Sequence, residues 1–233
     1  MLEQKVNEIF GDDEPGGFGT GWWSGVLSAF FGILPPTPDA APVEYRGDVQ
    51  NVLSGMIPRI YNHSYAISAD LVVPQGGAEG VIVAEADHLG GFSLFVQDGK
   101  LTHTYSMMGV FIYRQQADEP LPAGEVTVRM EFAADAPKPA TGGEVTLFIN
   151  DRLVGKGRMD HTVPIRFSGY AGMDIGRDNG GVVDRSYEDK KPFPFTGMIK
   201  KVVFDVRPPD DEAAHEALHQ AHHAALQARH IES

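Results

Sequence analysis

Four oxygen-bearing side chains crowd one short stretch. Gly172-Met-Asp-Ile-Gly-Arg-Asp-Asn-Gly-Gly-Val-Val-Asp carries Asp174, Asp178, Asn179 and Asp184. Calcium takes about six to eight oxygens, and loops that mix Asp, Asn and backbone carbonyls supply them while glycine permits the sharp bends. A calcium site at these four residues is one expectation. Turn building is the other, because Asp and Asn also bond their own backbone. Near the C-terminus, His215, His219 and His222 recur at spacings of four and three residues. On a helix that places three imidazoles on one face, where they could share zinc or another transition metal, with Asp211 or Glu212 adding an oxygen. A solvated polar face, or a contact that responds to pH, accounts for the same pattern. His215-Glu216-Ala-Leu-His219 also satisfies His-Glu-x-x-His, in which two histidines hold zinc and the glutamate activates water. Glu216 falls off the centre of the histidine face, and no substrate cleft is apparent around it, so peptidase chemistry is not expected.

The elements that must position these groups fall into three parts. Residues 208–233 read as one helix: Pro208 and Pro209 break the chain, Asp210 or Asp211 caps, and alanine fills the interior. Residues 44–207 are a succession of strand signals. Tyr65–Val73 alternates with period two; Gly80–Ala84, Phe92–Val96, Leu101–Tyr105, Glu125–Phe132, Glu144–Ile149, Arg152–Gly157 and Gly197–Val206 follow. Asp98-Gly99 and Asn150-Asp151 read as tight hairpin turns, since these residue types tolerate positive φ. Many short strands with no helical period between them predict an all-β sandwich. Tyr61, Tyr65, Tyr105, Tyr113, Tyr170 and Tyr187 are expected mainly in its core or as cross-strand partners.

Residues 1–43 form an N-terminal apolar extension rich in Gly, Pro and aromatic residues. Trp22, Trp23, Val26, Leu27, Phe30, Phe31, Ile33 and Leu34 lie within thirteen positions, and Pro35, Pro36, Pro38 and Pro42 close the stretch as a stiff spacer. So many apolar side chains must be covered, either by the chain's own body or by another chain. The spacer favours a protein partner or a homo-oligomer.

Composition narrows the classes. A formal net charge of −13 argues against nucleic acid as partner and against electrostatic docking on anionic lipid. The chain has no cysteine, which removes disulfides, thiolate nucleophiles and Cys-ligated zinc together. Acidic Asp12, Asp13 and Glu14 follow the start in place of a basic secretory n-region, and the apolar run is too short to span a bilayer. A cytoplasmic location and no membrane span are expected.

Several passages in order carry a family resemblance: Asn51-Val-Leu-Ser-Gly-Met-Ile-Pro-Arg, Val73-Pro-Gln-Gly-Gly-Ala-Glu-Gly-Val, Gly90-Gly-Phe-Ser-Leu-Phe-Val-Gln-Asp-Gly-Lys-Leu, Leu121-Pro-Ala-Gly, Gly142-Gly-Glu-Val-Thr-Leu, Asp174-Ile-Gly-Arg-Asp and Phe193-Pro-Phe-Thr-Gly-Met-Ile. Across roughly residues 49–206 the chain resembles the C-terminal accessory domain of bacterial arylsulfatases. That resemblance implies a jelly-roll, concanavalin-like antiparallel sandwich. Sulfatase chemistry would need a Cys or Ser in a Cys/Ser-x-Pro-x-Arg context, and no such pattern occurs here. The expected function is therefore a non-catalytic accessory or assembly subunit that docks through its N-terminal segment. A calcium-dependent carbohydrate- or ligand-binding module is the alternative, and a hydrolase the third reading.

Overall fold

The structure is a computed structural model and describes residues 42–53, 56–61, 63–87, 90–136, 139–164, 167 and 172–207. Eleven strands follow in chain order: β1 (Val43–Tyr45), β2 (Ser64–Val73), β3 (Gly80–Asp87), β4 (Gly90–Gln97), β5 (Lys100–Met107), β6 (Phe111–Gln116), β7 (Gly124–Ala134), β8 (Gly143–Ile149), β9 (Arg152–Met159), β10 (Met173–Ile175) and β11 (Met198–Arg207). They build two antiparallel sheets, the first in the order β1-β11-β2-β7-β8-β9 and the second in the order β10-β3-β4-β5-β6. The fold is the expected all-β sandwich. Residues 1–41 of the expected extension and the expected C-terminal helix lie outside the described residues, while Val43, placed in the extension by the sequence, opens β1.

The apolar residues of period two meet between the sheets. Ile67, Ala69, Leu71 and Val73 of β2 face Phe92, Leu94 and Val96 of β4 and Leu101 of β5 in one core, joined by Val128, Met130 and Phe132 of β7. Glu85 is also buried here, and Tyr61 donates a hydrogen bond to it at 3.4 Å.

The two outer faces differ. On the six-stranded sheet, β7 alternates between buried and solvent-facing residues, and the outward groups pair within and across strands. Lys201 reaches Asp70 at 3.3 Å, Arg129 reaches Glu131 at 3.4 Å, and Lys156 reaches Glu144 at 2.8 Å. On the five-stranded sheet, β4 is buried along its whole length. Residues 176–197 fold over it as a cover that includes the 3₁₀ helix Arg185–Lys190. Val81, Ala84 and Phe95 of the sheet, with Tyr187 and Phe193 of the cover, make a second apolar cluster. The cover's two limbs are tied to one another, Asp178 N donating to Pro192 O at 2.8 Å and Phe195 N to Gly176 O at 2.9 Å.

The sandwich has unlike ends. At one, strands reverse through 74–79, 98–99, 117–123 and 150–151. Asp98 and Gly99 both take positive φ there, as do Asn150 and Asp151, so the tight hairpin turns form where their residue types allow them. At the other, the connections 46–63, 135–142 and 160–172 are longer. We call these the turn end and the loop end.

Candidate functional site

Asp174 sits on β10 with both carboxylate oxygens engaged by backbone. Oδ1 accepts from Asn51 N at 2.8 Å and Oδ2 from Asn179 N at 3.0 Å. Asp178 is buried, and its Oδ2 accepts the Tyr187 hydroxyl at 2.8 Å. Burial pushes its carboxyl above the usual range; the nearby Asp174 charge adds to this, and the Tyr187 bond and Lys191 oppose it. Asp184 caps the 3₁₀ helix: Oδ1 accepts from Ser186 N at 2.8 Å, and Oδ2 from Thr104 Oγ1 at 2.7 Å and Arg114 Nε at 2.9 Å. Burial works against its charge, but the bonds from Thr104 and Ser186 and the Arg114 cation outweigh it and hold the carboxyl low.

The structure thus brings Asp174, Asp178 and Asn179 together and sets Asp184 apart, over β5 and β6. Calcium would need these oxygens turned toward one point, whereas each oxygen named above faces a protein donor. Among the described residues no three His, Asp or Glu side chains gather so as to hold a metal ion. Asp174 and Asp184 fasten the 176–197 cover to the sheet, through Asn179 N and through Thr104 and Arg114, while Asp178 braces the cover internally through Tyr187. Asp174 also ties in residue 51.

The same fastening fixes a polar strip along the margin of the cover. Thr104 lies opposite Arg114, and Thr102 opposite Gln116, on the outer face of β5 and β6. Arg114 Nη2 donates to Gln97 Oε1 at 3.3 Å, and that oxygen also accepts Ser186 Oγ at 2.7 Å. Gln97 Nε2 donates to Ser186 O at 3.2 Å, and Gln116 Nε2 to Thr102 Oγ1 at 3.1 Å. The Arg114 side chain is 39% exposed, and Ile112 projects into solvent beside it. A guanidinium held by Asp184 and Gln97, next to a Gln amide and an apolar wall, offers planar hydrogen-bonding groups in one fixed arrangement. That arrangement can bind and orient polar oxygens.

Sequence reasoning did not single out Gln97, Arg114 or Gln116. Their signal is the alternation Phe111-Ile-Tyr-Arg-Gln-Gln116, which sends Ile112, Arg114 and Gln116 to one face. Tyr65, Tyr105 and Tyr187 are buried, as expected of the body's tyrosines. His215, His219, His222, Asp211, Glu212 and Glu216 lie outside the described residues. So do Tyr170, Trp22, Trp23, Val26, Leu27, Phe30, Phe31, Ile33 and Leu34.

No family model matches the chain, and no curated protein matches it in sequence. Among solved structures it is similar to the leech intramolecular trans-sialidase complexed with 2,7-anhydro-Neu5Ac, at 14% identity and TM-score 0.46, over 78% of this chain and 28% of that one. It thus spans little more than a quarter of that protein. It is also similar to the Ruminococcus gnavus IT-sialidase CBM40, at 14% identity and TM-score 0.45, over 77% of this chain and 98% of that one. Domain 4 of AbnA, a GH43 extracellular arabinanase from Geobacillus stearothermophilus, in complex with arabinotriose, aligns at 16% identity and TM-score 0.45, over 73% and 77%. Likeness of this degree carries no argument about function, and the sandwich architecture rests on the strand pairing described above.

Proposed function

We propose that the chain is a non-catalytic recognition module that binds a glycan along the β6 margin of the five-stranded sheet. The observation that carries this reading is Arg114, half-exposed yet fixed by Asp184 and Gln97. Sugars present vicinal hydroxyls and ring oxygens, which planar Arg and Gln groups meet in pairs, while Ile112 offers an apolar wall to ring carbons. Holding the donors in place before binding spares the entropy of ordering them. An accessory place beside a separate catalytic chain, implied by the arylsulfatase-domain resemblance, forms part of the same proposal.

A glycan panel followed by calorimetry on the wild-type chain tests it. Arg114→Ala should weaken binding at least tenfold, about 1.4 kcal/mol. Because that change also leaves Asp184 without its cation, Gln116→Ala serves as the second variant and should weaken binding several-fold with an unchanged melting curve. A wild type that binds no glycan on the panel, or two variants that bind like wild type, would overturn the reading.

A further inference from the structure

The hydrogen bonds along the β6 margin decide which groups are left for a ligand. Arg114 Nε donates to Asp184 Oδ2 at 2.9 Å and Nη2 to Gln97 Oε1 at 3.3 Å, so the guanidinium edge from Nε to Nη2 is spent on the protein. Nη1 donates to nothing among the described residues, and the side chain is half-exposed. It is the free donor.

Gln116 stands two residues along β6, on the same face. Thr102 fixes the orientation of its amide. The single Thr102 hydroxyl proton goes to Lys100 O at 3.3 Å, a carbonyl that can only accept. Thr102 Oγ1 must then accept from Gln116, which turns Nε2 toward it at 3.1 Å and leaves Oε1 on the opposite side of the amide. That oxygen has no partner among the described residues and is not sealed from solvent. It is the free acceptor. A sugar hydroxyl both gives and takes a proton, so neighbouring hydroxyls can satisfy donor and acceptor alike. A carboxylate or sulfate only accepts, and would set oxygen against oxygen at Gln116.

Charge points the same way. The Arg114 cation is already matched by Asp184, whose bonds from Thr104 and Ser186 favour its ionised form. The adjoining 3₁₀ helix sets Arg185 and Lys190 against Glu188 and Asp189. Lys100 Nζ is turned to Asp118 O at 3.1 Å, at the turn end. An anion would find the nearest cation paired, and would approach a chain of net charge −13.

We infer that the β6 margin selects uncharged glycans, taking their hydroxyls on Arg114 Nη1 and Gln116 Oε1 and discriminating against uronic acids, sialic acids and sulfated sugars. This selectivity rests on the glycan reading above and names its ligand class.

A glycan panel built of matched pairs tests it: mannan and mannuronan oligosaccharides, neutral and sulfated galactan oligosaccharides, lactosamine and sialyl-lactosamine. In each pair that binds, the neutral member should bind at least about tenfold more tightly, and its affinity should barely change from low to high salt. Gln116→Lys replaces the acceptor with a cation and should shift that preference toward the acidic member at least about tenfold, with an unchanged melting curve. If the lysine impairs folding, Gln116→Glu replaces it; this keeps the acceptor, adds a negative charge and should deepen the discrimination. An acidic member that binds as tightly as its neutral partner overturns the inference and leaves glycan binding in place. So does a preference that the Gln116 variant does not move. If no glycan on the panel binds, the glycan reading itself falls, and the selectivity with it.

Discussion

His103 points from β5 into the core, fully buried, with Nδ1 against Gln115 Oε1 at 3.2 Å and Nε2 without a partner. Burial opposes the charged ring and lowers its pKa to about 4, the Gln115 bond offsetting only part of this. The unfolded chain, with an ordinary histidine near 6.5, then binds the proton more readily than the folded one. Stability supplied by neutral His103 is fully present above about pH 6.5 and is lost as pH falls toward 4, to a limit of about 3 kcal/mol. Urea titrations at pH 8 and pH 5 should show His103→Leu losing about 2 kcal/mol less than wild type over that interval. Equal losses would mean the ring is reached by water. Asp184 gives a second expectation at this scale. Asp184→Ala strips Thr104, Arg114 and the Ser186 amide of one acceptor, and should cost about 2–3 kcal/mol in chemical denaturation. The composition of the acidic loop was plain in the sequence, but the choice between cation and turn was not. Asp supplies the same oxygens to both, and the donors that claim them come from residues as distant as Asn51 and Thr104.

Most strands could be read in advance because their apolar residues recur every second position and their turns carry residues that accept positive φ. Three could not. β1 hides behind the proline spacer, β10 is three residues inside a stretch that reads as loop, and β6 mixes Arg114, Gln115 and Gln116 into its alternation. The cover was harder still. Asp184-Arg-Ser-Tyr-Glu-Asp-Lys-Lys looks like a solvated run, yet Tyr187 is fully buried, stacked on Phe193 and edge-on to Phe95. Its one trace was β4, apolar or small at both parities, which requires burial from two sides. Tyr187→Ala should therefore destabilise the domain by about 3 kcal/mol or more and open 176–197 to limited proteolysis. If the cleavage pattern stays unchanged, the bonds of Asp174 and Asp184 suffice to hold it. Gly80 tests the other anchor. Its φ is +113°, and a Cβ there would run into the Pro194 carbonyl, so Gly80→Ala should cost about 2 kcal/mol or more in thermal or chemical unfolding.

Across the whole molecule, the six-stranded sheet turns an ion-paired surface to water, while the five-stranded sheet is covered. Exposed pairs of this kind contribute little individually, so Lys200→Ala, which breaks the contact with Glu125, should move stability by less than about 0.5 kcal/mol. The order of the larger sheet sets a different constraint. β11 is the last of the described strands, yet it lies inside the sheet, between β1 and β2. During synthesis those two strands leave the ribosome first and must wait, unpaired along that side, until residues 198–207 have cleared the exit tunnel. Pairings so far apart in sequence form slowly, and an unpaired strand edge is open to aggregation meanwhile. A stalled or truncated chain ending before Met198 would lack a strand from inside its sheet, leaving β1 detached and β2 an open edge, and its nascent form is a natural client for a chaperone that shields strand edges.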